Sequence, residues 1–430
     1  MQMGGILKLL RCVLKKSGIL SVFFALVLLT GCGGFTPTVK IGYVNPTTGA
    51  LSGNGEGYDW VIDQIYEYVR ENPILIRGKK ADFQIIVYDS KSNPEICTQM
   101  AERLVLDDKV DLLIATQTPE TVIPVTSVAE KYHVPCVAIQ APVDPVAHAR
   151  SAYEWTYHAF WTIDKIYECY RGLWTKAGFP PNSGAKVGML FANDADGNAW
   201  HEVFVRRAQE DGYTVIDPGQ YSVGNKNFSA VAGVFARENI NILTGTNIPP
   251  DFMNAMAAFT TERVTFDCIT MGKCCLMQSD VSAFGDTAIG VMSEIWWDTE
   301  AGYVSDLTGE NSISLNEKYF RENFERKMPQ PAGYAYAALE LAVHTIQNAQ
   351  SRNKKKLISA LSRLDVNTII GPICYNHVLG GLHYSETVMG GGQWQLENGE
   401  LVLKVIDNSV YPSVKINAEY KSGNVTKKNW

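Results

Sequence analysis

The sequence predicts an α/β fold of two Rossmann-like lobes, and three observations carry that expectation. Short, wholly apolar runs such as Leu112–Ala115 alternate with amphipathic stretches through the first third of the chain. The same alternation restarts near Lys186 and runs a second time. The chain has 430 residues, 46% of them apolar, which is too many for one core, and it has no long charged block that would favour disorder between its ends. Apolar strands alternating with helices form parallel sheets covered on both faces.

Residues 39–44 read as the first strand, followed by a Gly-rich turn. Residues 58–70 place Val61, Ile65, Tyr68 and Val69 on one helical face. Residues 83–87 form the next strand. Asn93 then offers an N-cap and Pro94 a proline at the first helical position, with Ile96, Met100 and Leu104 recurring every four residues. Short apolar strands at 112–115 and 137–139 flank a helix over 124–132. The second half repeats the grammar, with strands at 186–191, 213–216, 240–244 and 266–270 and helices at 199–211, 229–237 and 251–259. A strand-like run over 288–295 leads to Trp296 and Trp297, and helices follow at 315–326, 332–349 and 355–364. From Gly390 the chain alternates polar and apolar residues, as antiparallel strands do. Ligands of open α/β sheets bind beyond the carboxyl ends of the strands, so the loop after each strand is the place to seek a site.

The first 31 residues stand outside this fold. Lys8, Arg11, Lys15 and Lys16 precede an apolar run over 19–29 that ends in Leu29-Thr30-Gly31-Cys32. That order is a secretory signal peptide, and the run falls short of the roughly 20 residues that span a bilayer. Its last four residues resemble the bacterial lipobox, which implies acylation of Cys32 and a flexible linker over 32–37. An ordinary signal peptide that happens to carry a cysteine is the alternative. Acylation would hold a soluble body at a membrane face, several chains giving the stable anchoring that one does not.

Removing residues 1–31 takes away four basic and no acidic residues, so the formal charge goes from −7 to −11. So acidic a chain has no electrostatic footprint for nucleic acid. Seven cysteines remain besides Cys12 and Cys32, an odd number without regular spacing, which is not a disulfide framework, although one or two disulfides are open to an exported body. Cys136 lies in an apolar run and reads as a buried thiol. Cys274 and Cys275 lack the second CxxC or histidine cluster that a soft metal would need, so no metal and no cofactor is expected.

At this point the chain resembles the type I periplasmic-binding-protein family, specifically the branched-chain amino-acid (leucine-binding-like) receptors of ABC transporters. The segments that carry the resemblance are IGYVNPTTGALSGNG (41–55), PVTSVAEKYHVP (124–135), NDADGNAW (193–200), NFSA (227–230) and IIGP (369–372), in the family's order. The resemblance implies a first lobe of residues 38–160 plus 293–385 and a second of 161–292 plus 386–430. It joins the lobes by three hinge crossings, near 157–162, 292–299 and 381–391. It also implies a monomeric extracytoplasmic receptor that closes on one small polar solute, amino-acid-like or aromatic, and hands it to a membrane permease and its ATPase. The implied ligand contacts are near Thr48 and Asn54 and in the loops 117–121 and 140–144 of the first lobe, with Gln117, Thr118, Gln140 and Ala141 taken from those loops. In the second they are Asp194, Asp196 and Asn247, with Lys273 close by. The chain carries Asp196, Asn247 and Lys273 where amino-acid binders often carry tyrosine, tyrosine and an acidic residue. Asp194 or Asp196 is left to supply an anionic contact.

Other motifs weigh less. The glycines at 49, 53, 55 and 57 lack GxGxxG spacing, because Tyr58 stands where the third glycine belongs, and they read as a ligand-approach turn. Asp194-x-Asp196-x-Asn198 begins like a calcium loop, but Ala199 and Val205 occupy the positions that need Gly and Glu. Asn198 reads instead as the cap of the next helix. The aromatic residues near the crossings either face ligand or pack the hinge; Trp161 and Trp297 are favoured as ligand walls, and Trp200 is assigned to helix packing. Of the scattered histidines, His158, near a crossing, is the one singled out as a candidate ligand contact. No GxSxG elbow or HExxH pair is present, so binding rather than catalysis is expected. A sensory receptor of the same fold that signals without transport is the second reading.

Overall fold

The computed structural model describes residues 36–422, and the leader and Cys32 lie outside the described residues. The first unit runs through β1 (Thr38–Asn45), a two-strand hairpin of β2 (Leu75–Ile76) and β3 (Lys79–Lys80), then β4 (Asp82–Asp89), β5 (Leu112–Ala115), β6 (Cys136–Ile139) and β7 (Thr156–Ala159). The second runs through β8 (Lys186–Phe191), β9 (Thr214–Ile216), β10 (Ile242–Asn247), β11 (Cys268–Lys273) and β12 (Met292–Ile295). The C-terminal third adds β13 (Asp365–Thr368), β14 (Gly371–Cys374), β15 (His377–Leu379), β16 (Leu382–Ser385), β17 (Gly390–Glu397) and β18 (Glu400–Asp407).

These strands build two seven-stranded sheets, ordered β15-β16-β7-β6-β5-β1-β4 and β18-β17-β12-β11-β10-β8-β9. Read from its first strand, each sheet has the doubly wound order 2-1-3-4-5, so the repeat legible in the sequence is a repeat of topology. In each, the order reverses beside the first strand, between β1 and β5 and between β8 and β10, and such switch points open a crevice at the strands' carboxyl ends. The strands have parallel neighbours except at one edge of each sheet, where β15 pairs with β16, and β17 with β12 and β18, antiparallel.

The period of two explains how wholly apolar strands serve two cores. In β5, Leu112 and Ile114 face a core shared with helices Tyr58–Glu71 and Gln330–Ala349, while Leu113 and Ala115 face one shared with helices Pro94–Leu106 and Pro119–Tyr132. In the second sheet Val187, Met189 and Phe191 face helices Ile163–Lys176 and Ala195–Glu210, and Leu190 faces helices Ser229–Glu238 and Pro249–Thr261.

The chain changes sheets three times. Residues 160–162 follow β7 and lead to helix Ile163–Lys176 on the second sheet, 296–299 leave β12, and 386–389 join β16 to β17. Residues 293–295, grouped with the first lobe from sequence, pair with β17 and so belong to the second sheet.

Two helix starts also differ from the sequence reading. The helix expected from Pro124 begins at Pro119, because proline costs nothing at a first helical position and Thr121 Oγ1 accepts the Thr118 N–H (3.1 Å). Pro124 sits inside the helix and removes only the bond that the Glu120 carbonyl would accept. The helix expected from Ala199 begins at Ala195, because Asp194 rather than Asn198 is its cap and accepts the Gly197 N–H (2.7 Å). All seven cysteines among the described residues are free thiols, six of them buried, Cys136 included. No described helix is long and apolar enough to cross a membrane.

Candidate functional site

The two switch points face each other across a crevice of about 300 Å³ between the lobes. From the first lobe, Asn54, Gln117, Thr118, Pro119, Gln140 and Pro142 line it. From the second come Asp196, Trp200, Lys273, Leu276 and Glu294, and the crossings add Phe160, Trp161 and Trp296.

Local backbone geometry delivers these side chains. Gln117 follows β5, Gln140 follows β6 and Lys273 ends β11, and all three hold positive φ (91°, 74° and 66°). Non-glycine residues rarely adopt this region, at a cost of order 1–3 kcal/mol each, and such strain clusters where a ligand is clamped. On the β8 side, Gly197 is required by contact, since a Cβ there would stand 2.0 Å from the Ala192 carbonyl oxygen. This close turn brings Asp194 and Asp196 to the crevice edge.

The polar groups divide into satisfied and unsatisfied. Gln117 Nε2 donates to Asn45 Oδ1 (3.0 Å), leaving Gln117 Oε1 buried without a partner. Asn54 Oδ1 is likewise buried and unpartnered, as is the indole N–H of Trp161, whereas Trp200 bonds the Asp196 carboxyl and Thr118 bonds Glu120. An orphaned buried polar group costs about 1–3 kcal/mol, so several around one hollow mark a surface built to meet something polar. Glu294, by contrast, is saturated: Oε2 accepts from Tyr170 Oη (2.5 Å) and Ser293 Oγ (3.0 Å), and Oε1 from Trp296 Nε1 (3.4 Å).

One charge cluster spans the lobes. Lys273 Nζ lies 3.1 Å from Asp194, 3.3 Å from Glu120 and 3.6 Å from Asp196, and the Asp196 N–H donates to Glu120 Oε1 (3.0 Å). Glu120, in the first turn of helix Pro119–Tyr132, is the first lobe's only member of the cluster. Burial drives the Asp196 carboxyl up to about 8 against the pull of Lys273, with Glu120 and Asp194 adding to the rise. Burial would also raise Glu120, but Lys273 and the Asp196 N–H outweigh it and hold Glu120 below its usual range. Burial opposes the Lys273 charge, and the three carboxylates overcome it and raise that pKa.

Ring geometry completes the walls. Trp161 stacks on Phe160 (centroids 3.9 Å, planes 25° apart), and Trp296 meets Phe160 edge-on at 5.6 Å. Trp200 stacks on Phe204 at 5.2 Å, as helix packing requires, yet it also lines the crevice.

Of the residues singled out from sequence, the structure brings together Asn54, Gln117, Thr118, Gln140, Trp161 and Asp196, with Asp194 at the edge through Lys273. Four others lie elsewhere. Thr48 is exposed and bonds Asp89 through its hydroxyl (2.6 Å) and its N–H (3.2 Å), closing the loop after β1. The Ala141 carbonyl accepts from His158 Nε2 (2.7 Å), and burial lowers that histidine to about 4, keeping it neutral. Asn247 spends its amide on Tyr221 and Met271. Trp297 donates to the Ile369 carbonyl (2.8 Å) and lines a separate hollow of about 500 Å³ behind the crossings. Glu120, Glu294 and Trp296 were not singled out as site residues. Glu120 falls in the loop 117–121 that the resemblance points to, and Trp296 stands next to a favoured tryptophan.

The chain matches the periplasmic binding protein family over residues 38–380. Among solved structures, it resembles a leucine-binding protein from Thermotoga maritima at TM-score 0.70 and 17% identity, covering 86% of this chain and 99% of that one. A solute-binding protein of an ABC transporter from Rhodopseudomonas palustris, in complex with 3,4-dihydroxybenzoic acid, aligns at TM-score 0.65 and 17% identity over 86% and 97% of the two chains. A branched-chain amino-acid transporter substrate-binding protein from Streptococcus pneumoniae, in complex with isoleucine, aligns at TM-score 0.68 and 14% identity over 86% and 99%. With a family match over most of its length and two doubly wound lobes facing one crevice, the chain belongs to the periplasmic binding protein family, with the type I, leucine-binding-like fold.

Proposed function

We propose that this chain is the lipid-anchored, extracytoplasmic receptor of an ABC importer and captures one small polar organic solute between its lobes. The observation that carries the reading is the set of orphaned buried polar atoms on Asn54, Gln117 and Trp161, which a bound solute would satisfy. Solute-binding relatives of this fold hold an amino acid or an aromatic acid in the complexes named above. Binding would proceed by closure: the first lobe's neutral edge meets the solute, and the charged second-lobe edge swings over it. The lipobox-like Leu29-Thr30-Gly31-Cys32 supports acylation at Cys32 and residence at a membrane face. Permease and ATPase subunits are the partners this reading requires, and no chemistry is performed on the solute.

A thermal-shift screen of the protein against a metabolite library tests the binding reading, because a ligand that prefers the folded state raises its melting temperature by mass action. A saturable shift with unmodified solute recovered afterwards supports it. Absence of any shift across the library overturns it. Incorporation of labelled palmitate that is lost in Cys32→Ala tests the anchor.

A further inference from the structure

Resting on the solute-binding reading of the crevice, we infer that the solute is a small organic cation, a protonated amine without a free carboxylate. Lys273 is the single cation among the described residues that line the crevice. Lys273 is held within 3.6 Å of three carboxylates, so its charge is spent inside the protein. No arginine lines the crevice to replace it.

Two helix N-termini point there, at Pro119 and Ala195, and such ends ordinarily attract anions. Both are already met by the chain's own acids, Glu120 in one first turn and Asp194 with Asp196 at the other. An incoming carboxylate would therefore face like charge, whereas an ammonium would face the excess of acid.

Among the neutral groups the orphaned acceptors agree in sign, and the indole N–H of Trp161 is an orphaned donor beside them. Asn45 Nδ2 donates to Thr47 and the Gly55 carbonyl, so Asn45 turns its oxygen toward Gln117 and fixes the Gln117 NH₂ there. What Gln117 offers the crevice is consequently its carbonyl oxygen. Together with Asn54 Oδ1, it makes two buried acceptors without a donor, and the Asp196 carboxyl lies beside them. An ammonium carries three N–H bonds and no acceptor, the complement of that set. The rings of Trp161 and Trp200 stand where they would cover the body of the solute, and a ring face also attracts a cation.

Titration calorimetry of the full-length protein with matched probes tests the inference. The amines are tyramine, phenethylamine, agmatine and putrescine; the acids are 4-hydroxyphenylacetate and phenylacetate; leucine is the zwitterion. The expected result is saturable binding of at least one amine, with the acids and leucine weaker by about tenfold or more. Asp196→Asn and, independently, Gln117→Met should each weaken the best amine by about tenfold while far-UV circular dichroism stays unchanged. Tighter binding of an acid or of leucine than of every amine overturns the inference and leaves the solute-binding reading standing. Amine binding that neither folded variant weakens also overturns the assignment to these acceptors. No binding by any probe, with a positive library hit that lacks a basic nitrogen, overturns the inference alone; no hit of any kind removes both.

Discussion

The two edges of the crevice are built differently. The first lobe's edge is neutral, with Asn54, Gln117, Thr118 and Gln140 set on a backbone held at two positive-φ positions, and its only charged contributor is Glu120. The second lobe's edge is charged, with Asp194, Asp196 and Lys273 brought together beyond β8 and β11. The neutral edge is complete on its own. The charged edge is completed by Glu120 arriving from the opposite lobe, through its bonds to Lys273 and the Asp196 N–H. On the proposed closure mechanism, one edge would read shape and hydrogen bonding before the lobes meet, and the other would respond to their meeting.

Breaking the charged edge at its centre has the largest expected effect on ligand affinity. Lys273→Met leaves three acidic groups without their cation, and uncompensated buried charge costs about 3–5 kcal/mol. The lobes should part to hydrate them, seen as a larger radius of gyration in small-angle scattering. An unchanged radius would show that closure does not depend on Lys273. Next in size is Glu120→Gln, which keeps an oxygen for the Asp196 N–H but removes the charge that crosses the gap. Charge-assisted hydrogen bonds are worth about 1.5–3 kcal/mol, so affinity should fall by roughly one to two orders of magnitude. Calorimetry would settle it, and equal affinity would assign Glu120 to the first lobe alone.

Gln117→Ala probes the neutral edge. It should weaken binding by about 1 kcal/mol, with the melting temperature of the free protein little changed, because the orphaned oxygen contributes only when a donor meets it. A large drop in melting temperature would mean that the Asn45 contact matters more than the crevice. Glu340→Gln serves as the remote comparison and should leave affinity unchanged. Glu340 is a buried carboxyl on helix Gln330–Ala349 that accepts the Ile369 N–H (3.3 Å), and burial raises it from 4.5 to about 8. The fold favours its protonated form, so its stabilising contribution is complete below pH 4.5 and is lost as pH rises through about 8. The variant should therefore melt higher than the parent above pH 8 and show a flatter pH dependence of melting temperature.

The fold was legible because its signals are local. Leu112–Ala115 is apolar on both faces, Asn93-Pro94 announces a helix, and the same order of signals appears twice. Half of the site was legible for a related reason: Gln117, Gln140 and Asp196 lie just beyond strand ends, where the switch-point rule directs attention. Contacts across the gap were not legible. Glu120 and Lys273 are 153 residues apart, and nothing near Glu120, even in the loop the resemblance points to, distinguishes it from an acid that merely suits a helix N-terminus. Trp161 and Trp297 were indistinguishable in sequence, since each sits at a crossing, and only the bond from Trp297 to Ile369 separates a hinge packer from a crevice wall. Thr48 misled because a loop after a first strand points either into the crevice or back onto the lobe, and Asp89 decides that here.

Helix Gln330–Ala349 presses its first turns against the second crossing. Gln330 Oε1 accepts the N–H groups of Trp296 (2.7 Å) and Trp297 (3.3 Å), while its Nε2 donates to the Leu276 carbonyl (3.2 Å). A Cβ at Gly333 would stand 2.5 Å from the Trp297 ring. The second crossing thus has a fixed fulcrum: one amide grips the bending strand and the far lobe together, and one bare backbone position lets the indole lie flush against the helix. Bulk added at Gly333 would act as a doorstop, setting the angle to which the jaws can shut without touching a single group that meets the guest.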